Sequence, residues 1–557
     1  MLKTKIISDL EKVFIGGDYD DYPAIETISA LRGERVAFQV LFTLILSDDG
    51  NFSRHYRPSL TGILADFATV REVKSVPAIN NGRYLTDEDY LSVKPGLFPD
   101  ILAPLSYFGM TVATPYCLSS LWIELEIPED YSGDLESSLT VTLTPDSAHG
   151  DDWGHDPVSA SVKVEIIDAC LPKPELIFTQ WFHADCLASY YRVEKWSKEH
   201  FEIIENFVRT AVRNGINMLL TPLITPPLDN KYDTRALQLV GVTVTDGGYS
   251  FDWTHLEKWI SICDRAGIKY FEIGHLFTQG GAEFATKVMG NVNGEYRRLF
   301  EKDTTCDDPG YVHFIREMLT SFLGYMKRRG DDRRCFFHIS DEPGGEQLSS
   351  YLRAKSAVED LLEGYVIMDA LSDYRYYASG AVKKPVVILH KLDEFAEGGV
   401  KGLWTYNCCE PSNGHSNRFI AMTSSRNRSV SLLFYKFNIE GFLHWGYNFY
   451  YNAGSADTVN PFLDTSSGGI FPSGDAFSVY PGQNGHPIES IRLATFFSGI
   501  QDLSAIRLCE SMYSRREVLS AIEELLGESI KANTYINTPS ELQRIRDLIN
   551  GMIKARL

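Results

Sequence analysis

The sequence predicts a multidomain chain, β structure followed by α/β structure: an N-terminal β-sandwich, then a (β/α)8 TIM-type barrel with a C-terminal helical segment. Three observations carry this. Apolar residues recur at period two between about residues 30 and 170, as in half-buried strands. Beyond Pro172 and Pro174 the pattern changes to short apolar runs alternating with amphipathic helices, the grammar of parallel strands and crossover helices. The runs that can be counted there number about eight, which closes a barrel and does not require an open sheet. A chain of 557 residues is long for one domain, but a large barrel and one accessory domain account for it.

In the first part, Val36, Phe38, Val40, Phe42, Leu44 and Leu46 form one alternating stripe. Leu121, Ile123, Leu125 and Ile127 form a second, and Val158, Ala160, Val162, Val164 and Ile166 a third. Sheets packed face to face bury such stripes. The prolines after the third stripe place a boundary near residue 172, giving a sandwich over 1–172, a barrel over 173–514 and helices over 515–557.

The first barrel strand is expected near 176–183. Ser197 then precedes a helix whose Phe201, Ile204, Phe207, Val208, Ala211 and Val212 share a face, and Gly215 ends it before INMLL. Thr254 and Glu257 suggest a capping box for the next helix, with Gly267 stopping it before KYFEIGH. A third helix over about 310–329 is released by Gly330 into CFFHIS, and YVIMDA, PVVILH, GLWTYN and GFLHWG complete the strand count. The region 515–557 reads as helix packed on the outside of the barrel.

Composition narrows the function classes. A net charge of −21 disfavours nucleic acid and anionic membrane surfaces, which call for clustered Lys and Arg. No apolar run is long enough for a signal-peptide core or a membrane span, so a cytoplasmic location is expected for the chain as given. Nine cysteines without regular spacing fit reduced thiols better than a disulfide framework. There is no GxGxxG or GxxxxGK[ST] loop for a nucleotide.

In a parallel barrel the chemistry gathers at the C-terminal ends of the strands. Those positions hold Trp181, His183 and Asp185; Glu272, His275 and Gln279; His338, Asp341 and Glu342; Trp404, Tyr406 and Glu410; and His444, Trp445 and Asn448, with Asp475 and Tyr480 in a later segment. Asp341 and Glu342 follow a buried strand and precede Pro343, which suits acid and base work. The competing reading is that Asp341 merely caps the next helix. Adjacent residues have Cα atoms only about 3.8 Å apart and tend to point apart, an awkward arrangement for a nucleophile and an acid flanking one bond. A 2-acetamido sugar removes the difficulty, since its own carbonyl oxygen attacks the anomeric carbon while Asp341 holds the amide and Glu342 protonates the leaving oxygen. That acid must keep its proton near neutral pH, which partial burial and a neighbouring negative charge favour.

Trp404, Tyr406 and Trp445 are candidate walls for a sugar ring, with barrel packing as the alternative. His183, His275 and His338 are read as partners of substrate hydroxyls in the absence of HExxH or paired-Cys spacing for a metal. Asn448, Asp475 and Tyr480 complete the expected substrate-binding set.

These residues sit in motifs that resemble glycoside hydrolase family 123, the retaining exo-β-N-acetylgalactosaminidases, and related uncharacterised proteins. The resemblance runs through LRGERVAFQV, KPGLFPD and LWIELEIP, then WFHAD, TPPLD, EIGHLFTQGGA, FHISDEP, LWTYNCCEP, GFLHWGYN and FSVYPG. It implies a sandwich and a catalytic barrel, no cofactor, and an Asp-Glu pair, here Asp341 and Glu342, working through an oxazolinium-type intermediate. The expected partner is a glycan or a glycolipid-derived oligosaccharide, with a homodimer possible. Two other readings stay open: a glycosidase with Glu342 as acid and Glu272, Asp369 or Glu410 as nucleophile, and a non-catalytic carbohydrate-binding protein.

Overall fold

The computed structural model describes residues 1–45, 53–82, 85–146, 156–226 and 237–557. Leu46 of the first stripe and Pro227, Leu228 and Asp229 of TPPLD lie outside the described residues.

Two five-stranded sheets come first. One runs in the order Leu2–Ser8, Arg35–Leu44, Ser119–Glu126, Ala68–Ala78 and Gly96–Pro104, with every neighbour antiparallel. The other runs Thr27–Arg32, Val158–Cys170, Glu136–Pro145, Arg54–Thr61 and Thr111–Ala113, its first pair parallel. The alternating stripes explain the packing. Phe38, Val40, Leu121, Ile123 and Leu125 from one sheet share a core with Leu139, Val141, Val162 and Val164 from the other. Because side chains alternate along a strand, the intervening Trp122 and Glu124 face the opposite way. Trp122 packs with Ile491 and Ala494 of the long helix Ile491–Met512, so this sheet is buried on both faces.

Eight parallel strands then close into a barrel: Ile177–Gln180, Met218–Thr221, Tyr270–Ile273, Cys335–Phe337, Val366–Leu371, Lys384–Ile388, Trp404–Tyr406 and Gly441–His444. Closure is direct, the last strand pairing with the first from Ile177 opposite Gly441 to Gln180 opposite His444. Helices stand between successive strands, from Lys198–Arg213 to Val430–Lys436. Ser197 caps the former by accepting the amide of His200, as its position predicts. The expected box at Thr254 and Glu257 does not form. Thr254 is already helical, and the carboxylate of Asp252 takes both its amide and its hydroxyl. Two hairpins that periodicity did not separate from the barrel, over 241–252 and 288–300, join into a four-stranded sheet of their own.

The C-terminal segment forms helices Arg515–Leu526 and Pro539–Lys554. The second is tied less to the barrel wall than to the long helix and the N-terminal sheets, through Arg546 to Asp502 at 2.8 Å and to Glu34 at 2.7 Å.

The seam between sheets and barrel is made of buried charge. Arg492 forms a two-pronged pair with Asp100, both bonds 2.9 Å, and gives its remaining Nη1 to the carbonyls of Gly474 and Phe477. Both side chains are essentially inaccessible to solvent. Breaking such a pair from one side leaves a charge stranded, so Arg492→Met is expected to cost about 3–5 kcal/mol. Denaturant unfolding monitored at two wavelengths checks this; a loss below about 1 kcal/mol would contradict it.

Candidate active site

The fourth barrel strand delivers the central residues. Phe337 ends it, and His338, Ile339, Ser340, Asp341 and Glu342 continue into the loop. His338 is wholly buried between two carboxylates, with Nε2 2.8 Å from Glu272 Oε1 and Nδ1 3.2 Å from Asp369 Oδ1. Burial alone would lower its pKa, but the bonds and charges of Asp369 and Glu272 outweigh that and raise it to about 10. His338 is therefore an imidazolium that donates from both nitrogens. The acids are saturated in turn. Glu272 also accepts Trp181 Nε1 at 2.7 Å and the Thr179 hydroxyl, while Asp369 accepts the amide of Ile339 at 3.0 Å and the Tyr351 hydroxyl at 2.6 Å.

His275 stacks on this imidazolium with ring centroids 4.4 Å apart and meets the edge of Trp181 at 5.2 Å. Burial and the neighbouring positive charge hold it neutral, far below the usual histidine range. Neither of its ring nitrogens has a hydrogen-bond partner among the described residues.

The adjacent acids are placed in different surroundings. Asp341 is buried, and its Oδ2 accepts Gln279 Nε2 at 2.7 Å. Burial, then the negative charge of Glu342, push its carboxyl up to about 8, against the Gln279 bond and the charge of His338. Glu342 is exposed, with a backbone φ of +41°, a left-handed conformation that a side-chain-bearing residue rarely adopts. Tyr406, at the end of the seventh strand, donates its hydroxyl to Glu342 Oε1 at 2.5 Å. The loop carrying Gln279 is held close by Gly281, φ +97°, where a Cβ would fall 2.4 Å from the Gln347 side chain.

Trp445 follows directly on the end of the eighth strand. Trp445 packs on Phe471, centroids 4.7 Å apart, and its indole donates to Asp475 Oδ2 at 3.0 Å. Asp475 Oδ1 lies 3.3 Å from His444 Nε2, and burial raises this carboxyl to about 7 in spite of Arg418 and the indole bond. Asp475 thus backs the tryptophan and is itself inaccessible.

Several expected substrate contacts are placed elsewhere. His183 gives its amide to Asn448 Oδ1 at 2.8 Å and accepts Asn448 Nδ2 on its carbonyl at 3.1 Å, while its Nε2 meets the Trp445 carbonyl at 3.0 Å. Burial lowers His183 to about 4, so this neutral histidine and Asn448 fasten the first strand end to the eighth. Trp404 opens its strand and lies across Gly441, whose Cβ position would be 2.1 Å from the indole. It therefore sits at the N-terminal ends of the strands, lining a cavity of about 680 Å³ with Ile177, Phe336 and Glu440. Tyr480 is also away from the acids, donating to Asp100 Oδ2 at 2.6 Å in the seam with Arg492.

The sequence motifs missed the combined role of Glu272, His338 and Asp369, although a charged residue within each of YFEI and VIMDAL was a signal in strands that should be apolar throughout. They also missed Arg418, which stands in an aperiodic loop.

Residues 181–509 match the model of the glycoside hydrolase 123 catalytic domain. The chain belongs to glycoside hydrolase family 123. Family 123 membership makes it a glycoside hydrolase and places Asp341, Glu342, Tyr406 and the buried histidines inside the matched region. Its fold is similar over 100% of this chain and 99% of the other to a family 123 glycoside hydrolase from Clostridium perfringens, solved in work on glycolipid glycan hydrolysis, with TM-score 0.75 and 15% identity. A noncanonic maltogenic alpha-amylase, AmyB, from Thermotoga neapolitana aligns over 61% of this chain and 78% of its own, at 12% identity and TM-score 0.31, too low to bear on the fold. No curated protein sequence matches the chain. No helix among the described residues is long and apolar enough to cross a membrane.

The raised pKa of His338 has a signed consequence. Its stabilising contribution is complete below the ordinary histidine value of 6.5 and is lost as pH rises through about 10. The melting temperature of wild type minus that of His338→Gln should therefore shrink steadily between pH 7 and 10; a difference constant over that range would show that the proton is not held.

Proposed function

We propose that the chain removes β-linked N-acetylgalactosamine from glycans by a retaining, substrate-assisted mechanism, with Asp341 and Glu342 as the working pair. The observation that carries this reading is the unlike placement of two adjacent acids. Buried Asp341 is held by Gln279, and exposed Glu342 is held by Tyr406. The 2-acetamido group supplies the nucleophile, so no second carboxylate is needed across the bond. Bound sugar draws Asp341 into its ionised form, against the burial that raises its carboxyl, with the pair's proton passing to Glu342. The carboxylate then accepts the amide N–H and sharpens the attack of the carbonyl oxygen on the anomeric carbon. Glu342 gives its proton to the leaving oxygen and then, as a base, activates the water that opens the oxazolinium ring. We assign the Tyr406 hydroxyl, which holds Glu342 in this structure, to the acetamido oxygen of the bound sugar. Trp445, backed by Asp475, offers the ring a flat wall. His275 is neutral with both nitrogens unused by the described residues, but it is buried against His338 and Trp181 and is assigned to support those rings, not to a sugar hydroxyl.

A separate carboxylate nucleophile is less well supported. Glu272 and Asp369 are wholly buried and committed to His338. We also assign the architecture as a β-sandwich over 1–172, a (β/α)8 barrel over 173–514 and a helical extension over 515–557. The shared core of the two N-terminal sheets and the helices between barrel strands support it.

Initial rates on 4-nitrophenyl β-GalNAc and β-GlcNAc test sugar and mechanism together. Wild type should prefer GalNAc, and Asp341→Asn and Glu342→Gln should each lose about 10²-fold or more with melting temperatures unchanged. A covalent adduct with a 2-fluorosugar, or intact activity in Asp341→Asn, would move the assignment to another carboxylate.

The pair also sets a pH limit. Its last proton leaves near the value to which Asp341 is raised, about 8, so kcat/KM should fall above that pH. Removing one negative charge in Asp341→Asn should move the basic limb of the residual activity to lower pH. A limb that stays in place would mean that the titrating group lies outside the pair.

A further inference from the structure

Arg418 is 1% exposed, yet among the described residues only one of its guanidinium nitrogens finds a partner. Nη2 donates to His444 Nδ1 and, at 2.6 Å, to the carbonyl of Gly446. Nε and Nη1 have no hydrogen-bond partner among the described residues. Arginine does not shed its proton to escape such a position, and unpaired buried N–H groups are costly.

The charges around it are unbalanced. Arg492 is already claimed by both oxygens of Asp100. Lys12, also buried, donates to the carbonyl of Ile420, two residues from Arg418. Asp475 is the remaining carboxylate, and it is turned to Trp445 and His444. Arg418, Arg492 and Lys12 therefore share two carboxylates, Asp100 and Asp475, and the negative charge of Asp475 is itself disfavoured by burial.

We propose that Arg418 is the centre of a binding site for a small monovalent anion of the halide class, beneath the end of the eighth barrel strand. Buried water would satisfy the idle N–H groups but leave the charge uncompensated, whereas a halide does both. Near-complete burial excludes a substrate carboxylate or sulfate, which would arrive attached to a sugar. A bound anion fixes the guanidinium, which grips His444 and Gly446 on either side of Trp445, so the site holds the tryptophan wall in place. This consequence rests on the proposed sugar pocket; the anion site does not.

The test compares wild type in sodium chloride and in sodium gluconate at equal ionic strength. Chloride should raise the melting temperature saturably by about 2 °C or more and increase the rate on 4-nitrophenyl β-GalNAc in parallel. Crystals grown in bromide should show an anomalous peak against Nε and Nη1 of Arg418, and Arg418→Gln or Arg418→Lys should lose the chloride response. Identical melting in both salts at every concentration, or bromide crystals without that peak, would overturn the site even if neither variant folds. No hydrolysis in either salt would count against the sugar assignment alone, since melting and diffraction still report on the anion.

Discussion

The imidazolium of His338, shared between Glu272 and Asp369, is the interaction on which the mouth of the barrel depends. It joins the third, fourth and fifth strands through side chains where short strands leave few ladder bonds; the fourth contains only Cys335, Phe336 and Phe337. Removing one member would leave an uncompensated charge in a place water cannot reach, which costs far more than the intact set contributes relative to an apolar core. Such a group is therefore weak evidence for stability. It also sets the field felt by the residues above it. Burial, aided by the positive ring, holds His275 neutral, and the ring favours ionisation of Asp341 against the burial that works the other way.

The same economy governs the seam between sheets and barrel. Glu124 faces away from the sandwich-like core because Ile123 and Leu125 face into it, and it meets Arg71 at 2.6 Å and Arg213 from a barrel helix. Glu489 takes Arg213 at 3.0 Å and Asn214 at 2.6 Å from the same region. Burial would raise this carboxyl, but Arg71, Arg213 and Arg35 bring it down to about 2. An apolar seam would hold two bodies together at many angles; interlocked guanidinium and carboxylate groups accept far fewer. The N-terminal sheets are therefore a fixed buttress against the long helix that follows the eighth strand.

Legibility in the sequence followed periodicity. The stripes through Val36–Leu44 and Leu121–Ile127 revealed both the strands and their buried face, since period two has one meaning in a half-buried sheet. Strand ends singled out Asp341, Glu342, Tyr406 and Trp445, and the structure places Asp341, Glu342 and Tyr406 together, with Trp445 following the eighth strand. Trp404 was misplaced because two residues within a three-residue strand decide which end of the barrel a side chain serves. Tyr480 was misplaced because a polar aromatic after a loop looks the same whether it grips a ligand or Asp100. Arg418 left no trace, because the meaning of a buried guanidinium lies in partners remote in sequence.

The pair itself shows what local sequence contributes and what only the fold adds. Adjacent carboxylates on an ordinary strand would differ in direction and little else. Here Asp341 remains in the packed interior, and the left-handed turn at Glu342, a strain of about 1–3 kcal/mol, carries the next side chain out to Tyr406 and solvent. Pro343 follows, and its fixed φ limits how the chain leaves the turn. Burial then separates the two acids more effectively than any change of residue type: one loses hydration and the other keeps it. Burial therefore favours the proton on Asp341 in the free protein, so the proposed division of labour requires bound sugar to stabilise the ionised form of Asp341.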